Sequence, residues 1–159
     1  MSRCQNASSA FHHSGAHMKR SQEFRDVAKA MGTIDFCMMQ TVGPHGVSTR
    51  PMSNNGEVEY DGDNWFFTSA GTAKVRDIQQ DARVQLVFAD TKAVNFISVW
   101  GQGEVIQDAD LKKKLWRKEL QEWFPEGPED EGVLLIKVSA TRIQSWGQMG
   151  EHALDLDAR

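Results

Sequence analysis

Short β-prone segments separated by turn signals recur along most of the chain, and they constrain the fold more than any other feature. The segment 43–46, Gly-Pro-His-Gly, separates an apolar run over 34–42 from a β-prone run over 47–53, which predicts a hairpin. Strands at this spacing with few helices predict a mainly β protein built as a small closed β-barrel. The further strands are predicted at 57–60, 65–68, 83–89, 94–100 and 133–143, with a continuation at 103–107 beyond a glycine bend.

Helices are predicted where a capping residue precedes apolar residues at helical spacing. The first is expected over 21–32, opened by a serine and closed by a glycine. A second is expected over 72–81, capped by a threonine, and a third from 108 to about 120, capped by an aspartate. The lysines at 112–114 of the third helix are interpreted as its solvated face.

The length of 159 residues and the 40% hydrophobic content suit one folded domain rather than two. We expect residues 1–18 to be a disordered leader or appended tail, 19–148 the folded domain and 149–159 a C-terminal tail. No apolar run approaches the roughly 18 residues of a membrane span and no signal peptide is recognisable, so a cytoplasmic protein without a membrane partner is expected. The net charge of -4 argues against a nucleic-acid partner.

Cysteines and histidines form no recognisable metal or redox motif. Cys4 and Cys37 make no CxxC pair, and Cys37 lies in an apolar run that favours a buried small hydrophobe. His12, His13 and His17 could line one face of a helix, but their position in the leader favours an unstructured segment. No metal site is therefore predicted, and no Ser/His/acid or Cys/His arrangement supports covalent catalysis.

Cationic and hydroxyl side chains cluster between the predicted strands and the second helix. Arg50, Lys74, Thr68 and Ser69 are donors of the types that a phosphate monoester requires, and a helix that starts near Thr72 adds free N–H groups. The alternative is an ordinary surface arginine, a solvated lysine and a plain strand-to-helix turn. The chemistry alone leaves both interpretations open.

Several segments follow one another in a characteristic order and spacing, namely Arg50-Pro51-Met52, Trp65-Phe66-Phe67-Thr68-Ser69, Lys74-Val75, Gly101, Leu115-Trp116 and Trp123-Phe124-Pro125. In this they resemble the pyridoxamine phosphate oxidase-like FMN-binding split barrels. Within that family the chain is most similar to the bacterial general stress protein branch, from about residue 20 to 146. The resemblance implies a split β-barrel homodimer with two FMN sites at the dimer interface, each built from both subunits.

The same resemblance assigns roles around the cofactor. Arg50 and Lys74 would hold the FMN phosphate, and the hydroxyls at 68 and 69 would bond the phosphate or the ring edge. The backbone at 51–53 would run along the isoalloxazine ring.

Two tryptophans complete the implied site. Trp146 would reach the flavin of the other subunit, whereas Trp116 would either pack in the core or stack on the ring. The implied cofactor-binding residues are Arg50, Pro51, Met52, Ser53, Phe67, Thr68, Ser69, Lys74, Trp116 and Trp146.

The C-terminal segment departs from the oxidase itself. Ala153, Asp155 and Asp157 stand where the oxidase has basic residues that serve substrate and flavin. Acidic side chains there would repel a phosphorylated substrate, which argues against pyridoxamine phosphate oxidation. The expected function is an FMN-dependent oxidoreductase with a small-molecule electron donor or acceptor.

Several alternatives share the predicted fold. A flavin-binding stress module without turnover needs the same anchor but no substrate pocket. FAD could replace FMN, and a deazaflavin or haem could occupy the barrel. For haem, His45 and His152 are the weak candidates for an axial ligand.

Overall fold

The computed structural model describes residues 20–157, so the predictions for the leader and its histidines lie outside the described residues. The mainly β prediction is confirmed. In chain order the elements are α1 (Gln22–Gly32), β1 (Phe36–Gly43), β2 (Gly46–Ser53), β3 (Asp63–Ser69), α2 (Ala73–Gln80), β4 (Arg83–Asp90), β5 (Asn95–Ile106), α3 (Ala109–Leu115), a 3-10 helix (Lys118–Glu122), β6 (Val133–Gly147) and β7 (His152–Asp155).

All strand pairs are antiparallel within one sheet, in the order β2-β1-β4-β5-β6-β3, and β7 pairs with β6. The terminal strands β2 and β3 do not pair with each other, so the sheet is open. The closed barrel expected from strand spacing is therefore wrong. The hairpin predicted around 43–46 is confirmed, with Val42 opposite Val47.

One face of the sheet forms the main core with α1. Met39, Leu86 and Ile97 are fully buried there. From α1, Phe24 and Val27 pack on the same cluster because the apolar stripe of the helix faces the sheet. The predicted N-cap is confirmed, since the Ser21 hydroxyl accepts a hydrogen bond of 3.2 Å from the Phe24 amide.

A smaller apolar cluster lies beside the main core and positions the candidate site. Phe67 and Leu120 are buried in it, with Trp116 and Phe124 packed against them. The rings of Phe67 and Trp116 meet edge to face, with centroids 5.3 Å apart. This cluster joins β3 to the segment after α3.

The strand predicted at 57–60 does not form, because this stretch is held as a loop against α1. The Asn54 side chain donates hydrogen bonds of 3.0 Å to the carbonyls of Met31 and Ile34. Gly56 approaches α1 so closely that a Cβ there would lie 2.4 Å from the Gly32 carbonyl oxygen. These long-range contacts outweigh the local β propensity.

The third helix is shorter than predicted. It ends at Leu115, and Trp116 is extended at φ -64° and ψ 137° before the 3-10 helix. The extended residue lets the Trp116 ring pack on Phe67, which the apolar stripe of a continuous helix would not require. At the other end of the chain, residues 152–155 of the expected C-terminal tail form β7 on β6.

Lys112 is buried at 2% exposure, so the prediction of a solvated lysine run is wrong at this position. Its ammonium group donates hydrogen bonds of 2.8 Å to the carbonyls of Asp130 and Val133. These hydrogen bonds connect α3 with the loop that precedes β6 and with the first residue of β6. Both carbonyls depend on Lys112 for these bonds.

Replacing Lys112 with methionine should lower the free energy of unfolding by about 1 to 3 kcal/mol, because the apolar stem is kept while two carbonyls lose a charged donor. Lys114→Met is the matched control, since Lys114 is exposed and its replacement should stay within about 0.5 kcal/mol. Urea denaturation followed by tryptophan fluorescence measures both. Equal midpoints for the two variants would contradict the structural role of Lys112.

Candidate functional site

A cavity of about 300 Å³ lies where the end of β2, the β3–α2 turn and the 3-10 segment meet. Its volume is at the lower end of the range of small-molecule sites. The lining residues are Phe36, Pro51, Met52, Ser53, Asn55, Trp65, Phe67, Thr68, Ser69, Thr72, Lys74, Arg117, Leu120, Trp123 and Phe124.

Most of the residues singled out in the sequence line this one cavity. The segments 51–53 and 67–69 form two of its walls, and Lys74 closes the end between them. Trp116 lies behind the wall, in contact with Phe67. The structure therefore brings together groups from β2, β3 and α2 that are up to 23 positions apart in the sequence.

Lys74 gives the cavity a cationic end. Its ammonium group donates a hydrogen bond of 3.1 Å to the Thr68 hydroxyl, and no carboxylate among the described residues forms an ion pair with it. Burial and the nearby charge of Arg50 lower the pKa of Lys74. A bound anion would relieve both effects because it supplies the missing counter-charge.

The N-terminus of α2 faces the same end. Thr72 is the N-cap, but its side chain makes no capping bond to the helix and donates instead to the Ser69 carbonyl at 3.0 Å. The first amides of α2 therefore lack a side-chain acceptor, and their dipoles favour a negative charge. Together with Lys74 they suit a phosphate group.

Arg50 lies beside the cavity and points into a buried network. Its guanidinium donates to the Thr41 hydroxyl at 2.7 Å and lies 3.7 Å from the Asp77 carboxylate. Thr41 also donates to Asp77 at 2.8 Å. Burial lowers the pKa of Arg50, and the charge of Asp77 opposes that shift.

Asp77 was not predicted from the sequence, although it lies about one helical turn beyond Lys74 on the same helix. A Cβ on Gly43 would approach both Asp77 carboxylate oxygens to 3.2 Å, so the hairpin also depends on this position. Asp77 compensates the charge of Arg50. Lys74 and Arg117 are the two cations that line the cavity, and neither forms an ion pair among the described residues.

The opposite end of the cavity is aromatic and contains two buried polar atoms without a hydrogen-bond partner. These are Nε of Arg117 and Oδ1 of Asn55. Arg117 uses Nη2 to donate to the Ser53 hydroxyl at 3.3 Å and the Asn54 carbonyl at 3.2 Å. Asn55 uses its Nδ2 to donate to the Leu115 carbonyl at 3.1 Å.

An unpaired donor and an unpaired acceptor beside aromatic walls fit a planar ring with both kinds of polar edge. The pyrimidine edge of a flavin offers carbonyl acceptors and an N–H donor. These donors, acceptors and aromatic walls are of the kinds that a flavin nucleotide would use. Sequence reasoning missed Arg117 and Asn55, because an isolated arginine in a helical segment gives no signal of its own.

Trp146 lies elsewhere, on the face of the sheet that points away from the main core, opposite Phe96 of β5. Phe36, Met38 and Phe96 on that face are 56%, 40% and 36% exposed. Phe36 also lines the cavity, so this apolar face reaches the cavity. Trp146 itself does not line the cavity.

Histidines do not line the cavity among the described residues. His45 is an exposed turn residue, and the His152 ring contacts the Met149 carbonyl at 3.1 Å. In residues 20–157 no three His, Cys, Asp or Glu side chains are grouped so that they could hold a metal ion. This geometry argues against haem in the cavity.

Comparisons with known proteins agree with the fold. The family model described as "Pyridoxamine 5'-phosphate oxidase like" matches residues 22–155. Protein bli-3 of Neurospora crassa is 26% identical over 127 residues, which are 74% of this chain and 61% of that protein. General stress protein 26 of Bacillus subtilis is 24% identical over 94 residues, which are 56% of this chain and 66% of that protein.

The chain thus spans between about three fifths and two thirds of these curated relatives. Among solved structures, general stress protein 26 from Bacillus anthracis matches with a TM-score of 0.72 and 21% identity. The match covers 83% of this chain and 97% of that chain. At this identity the likeness shows a shared fold. No helix within residues 20–157 is both long and apolar enough to span a bilayer.

Proposed function

Because the chain belongs to the pyridoxamine 5'-phosphate oxidase-like family, we propose that it is an FMN-binding flavoprotein that acts as an oxidoreductase. The observation that carries the proposal is a single cavity with a cationic end at Lys74 and an aromatic end at Arg117. The similarity to general stress protein 26 supports the family membership on which the proposal rests.

Different residues of the cavity bind the phosphate and the ring of the nucleotide. Lys74, the Thr68 and Ser69 hydroxyls and the first amides of α2 bind the phosphate. The β2 segment 51–53 lies along the ring, while Arg117 and Asn55 use their unpaired atoms on its polar edge. Charged hydrogen bonds contribute roughly 1.5 to 3 kcal/mol each, so a few of them supply micromolar binding.

The bound flavin would supply hydride or electron transfer, which no side chain in the cavity performs. The protein orients the ring and excludes water from it with Phe67, Trp123 and Phe124. Lys74 keeps a positive charge at the phosphate end. The substrate is a small-molecule electron donor or acceptor.

Pyridoxamine phosphate is not the proposed substrate. Ala153 and Asp155 lie on β7, where the resemblance to the oxidase would require basic residues. The Asp155 carboxylate forms an ion pair of 2.7 Å with Arg142, so Arg142 is not available to a substrate phosphate either. No free cation of this segment is left for a substrate phosphate among the described residues.

The cavity also supports a homodimer. Its volume of about 300 Å³ is small for a three-ring system with a ribityl phosphate chain, so one protomer would hold only part of FMN. The exposed apolar face that carries Phe36, Met38 and Phe96 reaches the cavity mouth. Pairing of two such faces would complete each site and bring Trp146 of one protomer toward the flavin of the other.

Titration of FMN with the full chain tests the proposal. We expect quenching of flavin fluorescence, a shifted visible absorbance spectrum and micromolar affinity. A protein that leaves the fluorescence and spectrum of FMN unchanged would overturn the assignment. Parallel titrations with FAD and a deazaflavin identify the preferred cofactor, and stopped-flow mixing with reduced nicotinamide nucleotides separates a reductase from a flavin-binding module without turnover.

Met38→Lys tests the dimer. A lysine on this apolar face would bury an unpaired charge between protomers, so the variant should be monomeric at micromolar concentrations, where the parent chain is dimeric. Light scattering after gel filtration measures both masses. Gln79→Lys, which adds the same charge at an exposed position of α2, should leave the dimer intact.

Two results would contradict the interface. One is a Met38→Lys variant that stays dimeric. The other is a parent chain that is monomeric in the presence of FMN. In either case the apolar face that carries Phe36, Met38 and Phe96 would not complete the site.

A further inference from the structure

The charges that line the cavity of about 300 Å³ are not balanced. Its two charged lining residues are both cations, Lys74 and Arg117, and no Asp or Glu of residues 20–157 lines it. Neither cation forms an ion pair with a carboxylate in this part of the chain. Two positive charges without a counter-charge favour a ligand that carries negative charge at more than one place.

The two cations belong to different ends of the cavity. Lys74 lies at the α2 end, where it donates to the Thr68 hydroxyl at 3.1 Å and where the first amides of α2 also face. Arg117 lies beside Leu120 and Phe124, which belong to the smaller apolar cluster. A phosphate suits the α2 end, because hydroxyls and helix amides surround it there. Arg117 is then left for another part of the ligand.

Arg117 is held in place by neutral groups. Its Nη2 donates to the Ser53 hydroxyl at 3.3 Å and to the Asn54 carbonyl at 3.2 Å. Both acceptors are uncharged, so these bonds orient the guanidinium without cancelling its charge. Its backbone carbonyl accepts from the Leu120 amide at 3.0 Å, at the start of the 3-10 helix. The wall therefore carries a fixed positive charge, which needs no rearrangement when a negative charge develops nearby.

Apolar neighbours strengthen the field of this charge. Leu120 is 5% exposed, and the rings of Phe67 and Phe124 lie with their centroids 6.5 Å apart at the same end. The effective dielectric constant beside such groups is lower than in water, so a charge acts over a longer distance. Arg117 can thus influence a ring in the cavity without direct contact.

A flavin ring changes its charge when it is reduced. The oxidised ring is neutral. Uptake of two electrons from a small-molecule donor and of one proton at N5 leaves one negative charge, shared by N1 and the carbonyl oxygen at C2. The phosphate is the same in both states, so the contacts at Lys74 do not distinguish them. A fixed cation at the ring end favours the reduced state.

We propose that Arg117 tunes the cofactor: its charge stabilises the reduced, anionic flavin ring, so that the protein holds reduced FMN more tightly than oxidised FMN. This inference rests on the proposed function, because it requires the ring at the Arg117 end of the cavity. A flavin stabilised in this way accepts electrons from its donor more readily than free FMN does.

The reduction potential of FMN bound to the full chain tests the proposal. The potential depends on the ratio of the affinities for the two states, so a loss of affinity common to both leaves it unchanged. We expect reduced FMN to bind at least tenfold more tightly, which places the potential at least about 30 mV above that of free FMN at the same pH. Anaerobic reduction in equilibrium with a reference dye, followed by absorbance, measures it. A potential at or below that of free FMN would overturn the proposal.

Arg117→Gln removes the charge and keeps a donor for the neutral acceptors. The preference for reduced FMN should fall at least tenfold, which lowers the potential by about 30 mV or more. Arg117→Lys retains the charge and should stay within threefold of the parent preference. Lys118→Gln is the matched control, because Lys118 is exposed and does not line the cavity; it should also stay within threefold.

Two outcomes in these variants would refute the role of Arg117. One is an unchanged potential in Arg117→Gln, and the other is an equal decrease in Arg117→Gln and Lys118→Gln. Arg117→Met, which also removes the charge, takes the place of Arg117→Gln if that variant does not fold.

Riboflavin separates the ring from the phosphate. Because it has the same ring and no phosphate, Arg117→Gln should lower its potential as much as that of FMN. A decrease confined to FMN would place Arg117 at the phosphate and overturn the proposal. A parent chain that does not bind FMN would refute the flavin assignment together with this inference. FMN binding with the same potential in the parent and in Arg117→Gln would refute the inference alone.

Discussion

Lys74→Ala is expected to weaken FMN binding by about 10- to 100-fold. The variant removes one charged hydrogen bond to the phosphate, worth roughly 1.5 to 3 kcal/mol, and about 1.4 kcal/mol corresponds to a tenfold change in affinity. Lys74 is the cation at the α2 end of the cavity, and its hydrogen bond to Thr68 is its only one among the described contacts. Quenching of FMN fluorescence in a titration measures the change.

Riboflavin supplies the control ligand, because it has the same ring system and no phosphate. Its affinity should be almost unchanged by Lys74→Ala if Lys74 acts on the phosphate. Arg76→Ala supplies the control variant, since Arg76 is an exposed cation on the same helix. Equal losses for FMN and riboflavin, or equal losses in the two variants, would contradict the assignment of Lys74.

The pH dependence of FMN affinity is a further test of the contact between Lys74 and the phosphate. Burial and Arg50 lower the pKa of Lys74 in the free protein, and a bound phosphate would raise it. The contribution of Lys74 to binding is therefore full below its lowered pKa and declines as the pH rises through it. This decline should be absent in Lys74→Ala and in riboflavin titrations.

Arg50 and Lys74 were both predicted from the sequence to bind the phosphate, but in the structure they differ in how far they are already engaged by other side chains. Asp77 lies 3.7 Å from the Arg50 guanidinium and Thr41 accepts from it at 2.7 Å, so Arg50 is already engaged. Replacing Arg50 would leave Asp77 buried without its cation, which disturbs the fold as well as any ligand. Lys74 is thus the cleaner test of the phosphate end.

The parts of the fold that follow from local sequence were predictable. The turn at 43–46 and the apolar stripe of α1 each specify their element through residues that are close in the chain. The predictions that were wrong concern residues whose conformation or burial depends on contacts with residues distant in the sequence. The 57–60 segment is held as a loop by contacts of Asn54 and Gly56 with the end of α1, and Lys112 is buried by carbonyls 18 and 21 positions away.

The candidate site shows the same division. The segments 51–53 and 67–69, with Lys74, could be grouped from their order and residue types, and the structure brings them to one cavity. Asn55 and Arg117 could not be grouped with these segments from the sequence. Arg117 is held at the cavity by hydrogen bonds to residues 63 and 64 positions earlier in the chain. The cofactor role proposed for them rests on unpaired atoms, which only a packed structure reveals.

Gly147, which follows Trp146, is expected to be the glycine most sensitive to substitution among the described residues. Gly147 has a φ of +105°, and a Cβ there would lie 1.8 Å from the Val94 carbonyl oxygen. The neighbouring backbone is fixed, because the Gln148 amide donates to the same oxygen at 2.9 Å. Substitution therefore combines an unfavourable backbone conformation with a collision that no side-chain movement relieves.

Gly147→Ala should lower the free energy of unfolding by about 3 kcal/mol or more, or prevent folding. Gly46→Ala is the matched control, since Gly46 has a φ of +102° with no atom within 4 Å of a Cβ. Gly46→Ala should lower the free energy of unfolding by about 1 kcal/mol, because only the backbone conformation is unfavourable there. Urea denaturation measures both, and similar losses would show that the contact with Val94 relaxes. A large loss confined to Gly147 would indicate that the chain holds the junction of β5 and β6, and with it the backbone that carries Trp146, in one rigid arrangement.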